Sequence, residues 1–191
     1  MVINKAVAER GKTIMKRLPS GPCRAAEIGV LRGHLSGWLL DRHDQLRLTM
    51  VDSWAAREQQ TEAYKATGDE HAFHDAWRTG RHMEEALASV ARFDAERFRI
   101  LHGRSVDMEA NVEDGSLDLV FLDGDHSYDG VRADIDAWLP KLAPGGYLGG
   151  HDYRNPDPRF RFGVTDAVDE WVSVVGLTLE TDANFTWWVR L

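Results

Sequence analysis

The chain predicts an α/β protein: a Rossmann-like, doubly wound, mostly parallel seven-stranded sheet with a C-terminal antiparallel hairpin and a helical insertion after the second strand. Three observations carry this. Short apolar runs of strand length alternate with helical segments, the pattern of a parallel sheet covered on both faces. Near the start, Arg24-Ala25-Ala26-Glu27-Ile28-Gly29 reads as a buried strand running into a glycine turn, with a second glycine at Gly33. Past the middle, Leu119-Val120-Phe121-Leu122 ends in Asp123-Gly124-Asp125-His126-Ser127-Tyr128. Acids and a histidine thus fall at a strand end, where an open α/β sheet places its chemistry.

The elements follow in order. Residues 1–18 carry Val2, Ile3, Val7, Ile14, Met15 and Leu18 beside Lys5, Arg10, Lys12, Lys16 and Arg17. They lack the unbroken apolar centre of a secretory signal. They read as an N-terminal helix packed over one edge of the sheet, with a basic amphipathic helix on a membrane surface as the other reading. The first strand is 24–29, with Cys23 a small residue entering it, and a helix follows over 33–43. The second strand is 46–51, closed by Asp52. Residues 53–82 then run on without a sheet partner, too long for a simple connection, and read as one or two helices forming a partial lid over the strand ends. Trp54, Phe73 and Trp77 there hint at an aromatic wall. His71 and His74 would share a helix face, able to bind a metal or simply to meet solvent.

A helix over 83–95 leads to strand 98–101, then a short helix or turn at 105–111 and a turn at 114–116. Strand 117–122 precedes a helix over 129–139 that stops at Pro140. Pro144-Gly145-Gly146 turns into strand 147–150, 164–175 is the last helix, and 177–180 with 185–189 form the closing hairpin. Its tryptophans suit either sheet core or a dimer edge.

Composition bounds the function. At 191 residues and 43% hydrophobic content the chain can bury a full core without disulfides. No repeat or low-complexity linker divides it, so 1–191 read as a single domain. A lone cysteine excludes an internal disulfide and fits a reducing, cytoplasmic setting. The net charge of −8 argues against a nucleic-acid partner. No apolar run approaches the ~20 residues of a membrane span.

Glu27-x-Gly29-x-x-x-Gly33 is not the G-x-G-x-x-G that holds a dinucleotide pyrophosphate. A cofactor with a carboxylate and an ammonium group but no pyrophosphate suits it better, and S-adenosylmethionine is such a cofactor. Glycines at 29 and 33 would let the backbone approach the methionine part. Glu27 could accept from the ammonium, Asp52 from both ribose hydroxyls, and Ser36 could bind the carboxylate or simply sit on the helix surface.

With E-I-G-V-L-R-G, the acid closing strand two, F-L-D-G-D-H-S-Y and P-G-G-Y-L-G-G-H-D-Y at these intervals, residues ~20–191 resemble a class I S-adenosylmethionine-dependent methyltransferase. Within that superfamily the chain is most similar to small O-methyltransferases of the catechol and macrolide-sugar types. The resemblance implies an enzyme, with Ser105 at the adenine and Asp123 counted among the cofactor residues. It also implies a Mg²⁺ or Mn²⁺ site at Asp123, His151 and Asp152. A histidine at 151 suits Mn²⁺, Fe²⁺ or Zn²⁺ better than Mg²⁺. It equally suits metal-free chemistry, with Asp123, His126 and His151 as the catalytic set and either histidine as general base. The expected partner is a small-molecule acceptor, such as a sugar, phenol or natural product, in a protein that pairs as a homodimer. A nitrogen acceptor and a non-catalytic cofactor-binding module are the alternatives.

Overall fold

The computed structural model describes residues 5–191; residues 1–4 of the expected first helix lie outside the described residues. Seven strands form one sheet: β1 (Cys23–Ile28), β2 (Leu46–Asp52), β3 (Phe98–His102), β4 (Leu117–Leu122), β5 (Leu142–Gly150), β6 (Leu179–Asp182) and β7 (Thr186–Arg190). Their order is β3-β2-β1-β4-β5-β7-β6. Strands β1 to β5 are parallel, and β7 runs antiparallel to both its neighbours. The chain winds outward from β1 to β3 and then returns to lay β4 on the other side of β1. The loops leaving β1 and β4 therefore diverge, which opens a crevice at their carboxyl ends.

Side-chain alternation divides the core between two faces. On one, Ala26, Ile28, Val120 and Leu122 meet α6 (Tyr128–Trp138) and α7 (Val164–Val175) through Ile135, Trp138, Val168 and Trp171. On the other, Ala25, Leu48, Leu119 and Phe121 meet α1 (Lys5–Met15), α2 (His34–Arg42) and α4 (Ala76–Val90) through Ile14, Trp38, Leu39 and Val90. Glu27 has the parity of Ala25, so its carboxylate is directed beneath α2. That placement governs its chemistry.

Helix α1 lies against α2 closely enough that a Cβ on Gly11 would stand 2.3 Å from the Trp38 ring. Its basic stripe engages the chain itself. Lys16 and Arg17 both bond Asp182 beside the β6–β7 turn, and Arg17 stacks over Trp188 at 4.3 Å. Trp187 and Trp188 are fully buried in the sheet interior, so β6, not the tryptophan-bearing β7, forms the edge.

Three boundaries differ from expectation. Helix α4 starts at Ala76 rather than residue 83 and ends at Val90, because Asp75 accepts from Arg78 N at 2.8 Å and caps it there. The lid is therefore α3 (Glu62–Ala66), a 3-10 turn over Glu70–Phe73 and the first turns of α4. Strand β5 begins at Leu142, and Pro144-Gly145-Gly146 is a bulge within it. There the register against β4 shifts and Gly145 takes a φ of 82°. Pro140 does not stop the helix outright; α6 ends at Trp138 and tightens into a 3-10 turn over Leu139–Lys141. Among the described residues no helix is long and apolar enough to cross a membrane.

Candidate active site

A cleft of roughly 1180 Å³ opens where β1 and β4 part, roofed by residues 59–82 and floored by the strand ends. One side of it begins at Glu27. This carboxyl is 3% exposed, accepts the Ser36 hydroxyl, and is pushed up to about 8 by burial, with the nearby Asp123 charge adding to the effect. Ser36 itself is wholly buried behind Glu27 and does not line the cleft. The expectation that it takes a cofactor carboxylate is therefore corrected: its hydroxyl orients Glu27.

Asp52 lines the cleft, yet its carboxylate is already at work on the backbone. One oxygen accepts from Val30 N and Leu31 N, both at 2.8 Å, and the other accepts from Trp54 N at 2.7 Å. The Trp54 indole donates back to Leu31 O at 2.7 Å. The loops after β1 and β2 are thus tied together by one acid, and the Trp54-facing oxygen keeps a lone pair for a further donor.

The two glycines are also required by the packing of the chain on itself. At Gly29, φ is 90° and a Cβ would stand 2.1 Å from the Asp123 carbonyl oxygen. At Gly33, φ is 67° and a Cβ would meet Ser89 and Ala86 of α4. Both serve the approach of one chain segment to another, the first of them bringing the β1 and β4 loops together.

At the far end of the cleft Ser105 donates to Asp134, a buried acid on α6 that burial raises to about 7. Sequence reasoning singled out Ser105 but missed Asp134. The interior of an amphipathic helix carries no mark for a polar residue on its buried side.

A dense cluster of charged side chains gathers around Asp123. Arg10 of α1 donates to Asp123 Oδ2, leaving Oδ1 3.5 Å from His126 Nε2 and 3.4 Å from His151 Nδ1. His126 Nε2 also lies 3.2 Å from Asp152 Oδ2, but it makes no aligned hydrogen bond. Asp152 holds a left-handed backbone, φ 61°, which aspartate tolerates and which turns its carboxylate back to the cluster. His151 donates from Nδ1 to Asp152 Oδ2 at 2.8 Å and from Nε2 to Asn184 Oδ1 at 3.2 Å.

Charge is balanced within this cluster. Burial works against ionising Asp123, but Arg10, His151 and His126 outweigh it and hold the acid well below the usual carboxylate range. Burial likewise opposes the His126 imidazolium. The carboxylates of Asp123, Asp69 and Asp152 overcome it and raise the ring to about 10. His151 is raised too, against burial, by Asp123 and Asp152. While these contacts last, His126 therefore stands charged and His151 is drawn toward its charged form.

One oxygen each of Asp123 and Asp152 and one ring nitrogen of His126 lie within 4.8 Å of one another, the spacing of a shared cation site. His126 thus joins the expected set of Asp123, His151 and Asp152, whose His151 Nδ1 lies 3.4 Å and 2.8 Å from the same two acids. Among the described residues this is the one such group; His71 and His74 sit with ring centroids 5.2 Å apart but form no set. Of the expected aromatic wall only Trp54 lines the cleft, joined by Tyr64, Phe160 and Phe162. Phe73 and Trp77 face solvent, 52% and 75% exposed. Arg10 and Asp69, which reach the centre from α1 and the lid, carry no local signal of that destination.

Residues 26–153 match a family model described as a methyltransferase domain. An uncharacterised protein y4gI of Sinorhizobium fredii is 36% identical over 88 residues, which is 44% of this chain and only 9% of that relative. Two of the solved structures that share the fold serve as examples. The O-methyltransferase NovP superposes with a TM-score of 0.63 at 19% identity, over 98% of this chain and 77% of that one. The N-methyltransferase NodS of Bradyrhizobium japonicum does so with a TM-score of 0.60 at 18% identity, over 100% and 97%.

Proposed function

This chain belongs to the methyltransferase-domain family that matches its residues 26–153, and from that membership we propose that it transfers a methyl group from S-adenosylmethionine to a hydroxyl of a small molecule. The observation that carries the hydroxyl assignment is the meeting of Asp123, His126 and Asp152 within 4.8 Å at the mouth of the crevice. Two carboxylates and an imidazole whose Nε2 has no hydrogen-bond partner suit a borderline ion such as Mn²⁺, Fe²⁺ or Zn²⁺ better than Mg²⁺. When bound, S-adenosylmethionine supplies the electrophilic methyl, and a divalent ion on these three residues supplies positive charge that favours an ionised hydroxyl.

The chain's own residues do the rest. Glu27, which lines the crevice from beneath α2, accepts from the cofactor ammonium. The lone pair left on Asp52 accepts from the ribose, and Ser105 with Asp134 meets the adenine. Arg10 holds one oxygen of Asp123 and so fixes the other toward His126 and His151. Trp54, Tyr64, Phe160 and Phe162 wall the acceptor side, where closure of the lid would exclude water and hold the acceptor in line.

The test is a calorimetric titration with S-adenosylhomocysteine, with NADH as control, followed by matched hydroxyl and amine acceptors with and without chelator. Micromolar binding of S-adenosylhomocysteine alone and chelator-sensitive methylation of hydroxyls is the expected result. Methylation of amines only would replace the hydroxyl assignment with a nitrogen acceptor. Binding of neither ligand would move a non-catalytic role ahead.

A further inference from the structure

The lid reaches the reactive centre through one carboxylate. Asp69, 4% exposed, opens the 3-10 turn over Glu70–Phe73 and accepts from His71 N at 2.9 Å. Its Oδ1 also faces His71 Nδ1 at 3.0 Å. Its other oxygen, Oδ2, accepts from the Tyr64 hydroxyl at 3.0 Å and lies 2.8 Å from His126 Nδ1. The second contact spans 57 positions of sequence, between a lid turn and the loop after β4.

His126 has little freedom in this setting. Phe162 lies along its ring at 4.6 Å, Tyr64 meets it edge-on at 6.3 Å, and Asp69 takes one of its two nitrogens. The nitrogen that remains, Nε2, is the one that faces Asp123 and Asp152. An imidazole has two polar atoms on opposite edges, and a carboxylate bonded to one edge decides which way the other points. Without Asp69 a half-turn about the Cβ–Cγ bond would present different atoms to the two acids.

We propose that Asp69 is the positioning residue for His126: the lid carboxylate holds Nδ1–H, so that Nε2 is presented to Asp123 and Asp152 only when the segment from Tyr64 to Asp69 is folded over the site. This rests on the reading of Asp123, His126 and Asp152 as the reactive set. The lid's attachment supports it. Arg161 N donates to Thr67 O at 2.7 Å, and Gly68 passes so near Arg159 that a Cβ there would stand 2.8 Å from its carbonyl oxygen. The lid, the loop after β5 and His126 thus close on one another as a unit, and an acceptor that displaces the lid would disturb the histidine with it.

The test is long-range ¹H–¹⁵N imidazole NMR of histidine-labelled, chelator-treated protein, with His126 assigned by its loss in His126→Gln. Asp69→Ala and the isosteric Asp69→Asn are compared with Tyr64→Phe, which removes a partner of Asp69 but leaves the carboxylate. The expected result is a wild-type His126 with a protonated, carboxylate-bonded Nδ1, a pattern lost in both Asp69 variants and kept in Tyr64→Phe. His71 shifts in either case and decides nothing. Mn²⁺ titrations should then show about 10–100-fold weaker binding in the Asp69 variants, the usual loss for an outer partner of a ligating histidine. S-adenosylhomocysteine affinity should be unchanged. An unaltered His126 pattern in folded Asp69→Asn overturns the proposal. A wild type that binds no Mn²⁺ overturns the cation reading of the function instead, and the NMR comparison still decides the role of Asp69.

Discussion

Arg10 of the first helix donates to Asp123 at the end of β4, across 113 positions of sequence, and puts a fixed positive charge on the acid at the centre of the cleft. Removing one partner of a buried pair typically costs about 3–5 kcal/mol. Here the side chains are 19% and 12% exposed, and His126 and His151 remain beside the acid. Arg10→Met should therefore lower stability by about 1–3 kcal/mol in urea unfolding at pH 7. A loss under about 0.5 kcal/mol, the ordinary surface range, would mean that Arg10 is not needed to compensate Asp123.

Glu27 predicts a pH dependence of stability. Its carboxyl titrates near 4.5 in the unfolded chain and about 8 in the folded one, chiefly because it is buried. Its contribution is fully present below pH 4.5 and is lost as pH rises toward 8, since over that window the unfolded state gives up a proton that the folded state keeps. The slope from this one group is at most about 1.4 kcal/mol per pH unit. Glu27→Gln should remove it, so the variant should gain on the wild type steadily between pH 5 and 7.5. Parallel stability curves would show that Glu27 is ionised in the folded protein.

Two glycines in the same backbone region separate conformational cost from steric cost. Gly115 has φ 67° with nothing within 4 Å of a Cβ, whereas Gly29 has φ 90° and the Asp123 carbonyl at 2.1 Å. Gly115→Ala should cost only the left-handed backbone term, about 1–2 kcal/mol. Gly29→Ala adds a clash between two loops and should cost on the order of 3 kcal/mol or more, enough to reduce the yield of folded protein. Thermal melts of the pair provide the comparison. Equal losses would mean that the β1 loop yields to make room.

The choice between histidines is open to direct measurement. His126 Nε2 faces Asp123 and Asp152 without a hydrogen-bond partner, whereas both ring nitrogens of His151 are taken by Asp152 and Asn184. After dialysis against Mn²⁺, His126→Ala and Asp152→Ala should retain little metal while His151→Ala keeps most of it, with S-adenosylhomocysteine binding intact in all three. Loss in His151→Ala with retention in His126→Ala would restore the set expected from the sequence.

Much of the architecture was legible because its signals are local. The buried parity of Ala25, Ala26 and Ile28, the turn at Gly29, and the acids after Leu122 each lie within a few residues of what they specify. The helix–strand alternation then leaves few ways to order a parallel sheet. Boundaries slipped where a neighbour decided them. Pro144 reads as a break, but β4 beside it makes it a bulge. The start of α4 rests on Asp75, a cap hidden in a stretch without clear periodicity.

By itself, then, the sequence determined the fold, the crevice between β1 and β4, and the identity of the acids that face it, since backbone period and turn chemistry act between chain neighbours. Only the tertiary structure decided which groups those acids meet. Ser36 turned inward to Glu27 because it shares a sheet face with that acid. Arg10 and Asp69 arrived at Asp123 and His126 from the first helix and a lid turn, with no pattern pointing there. Such contacts follow from how the helices dock on the sheet, and docking is a property of complementary buried surfaces that no spacing along the chain encodes.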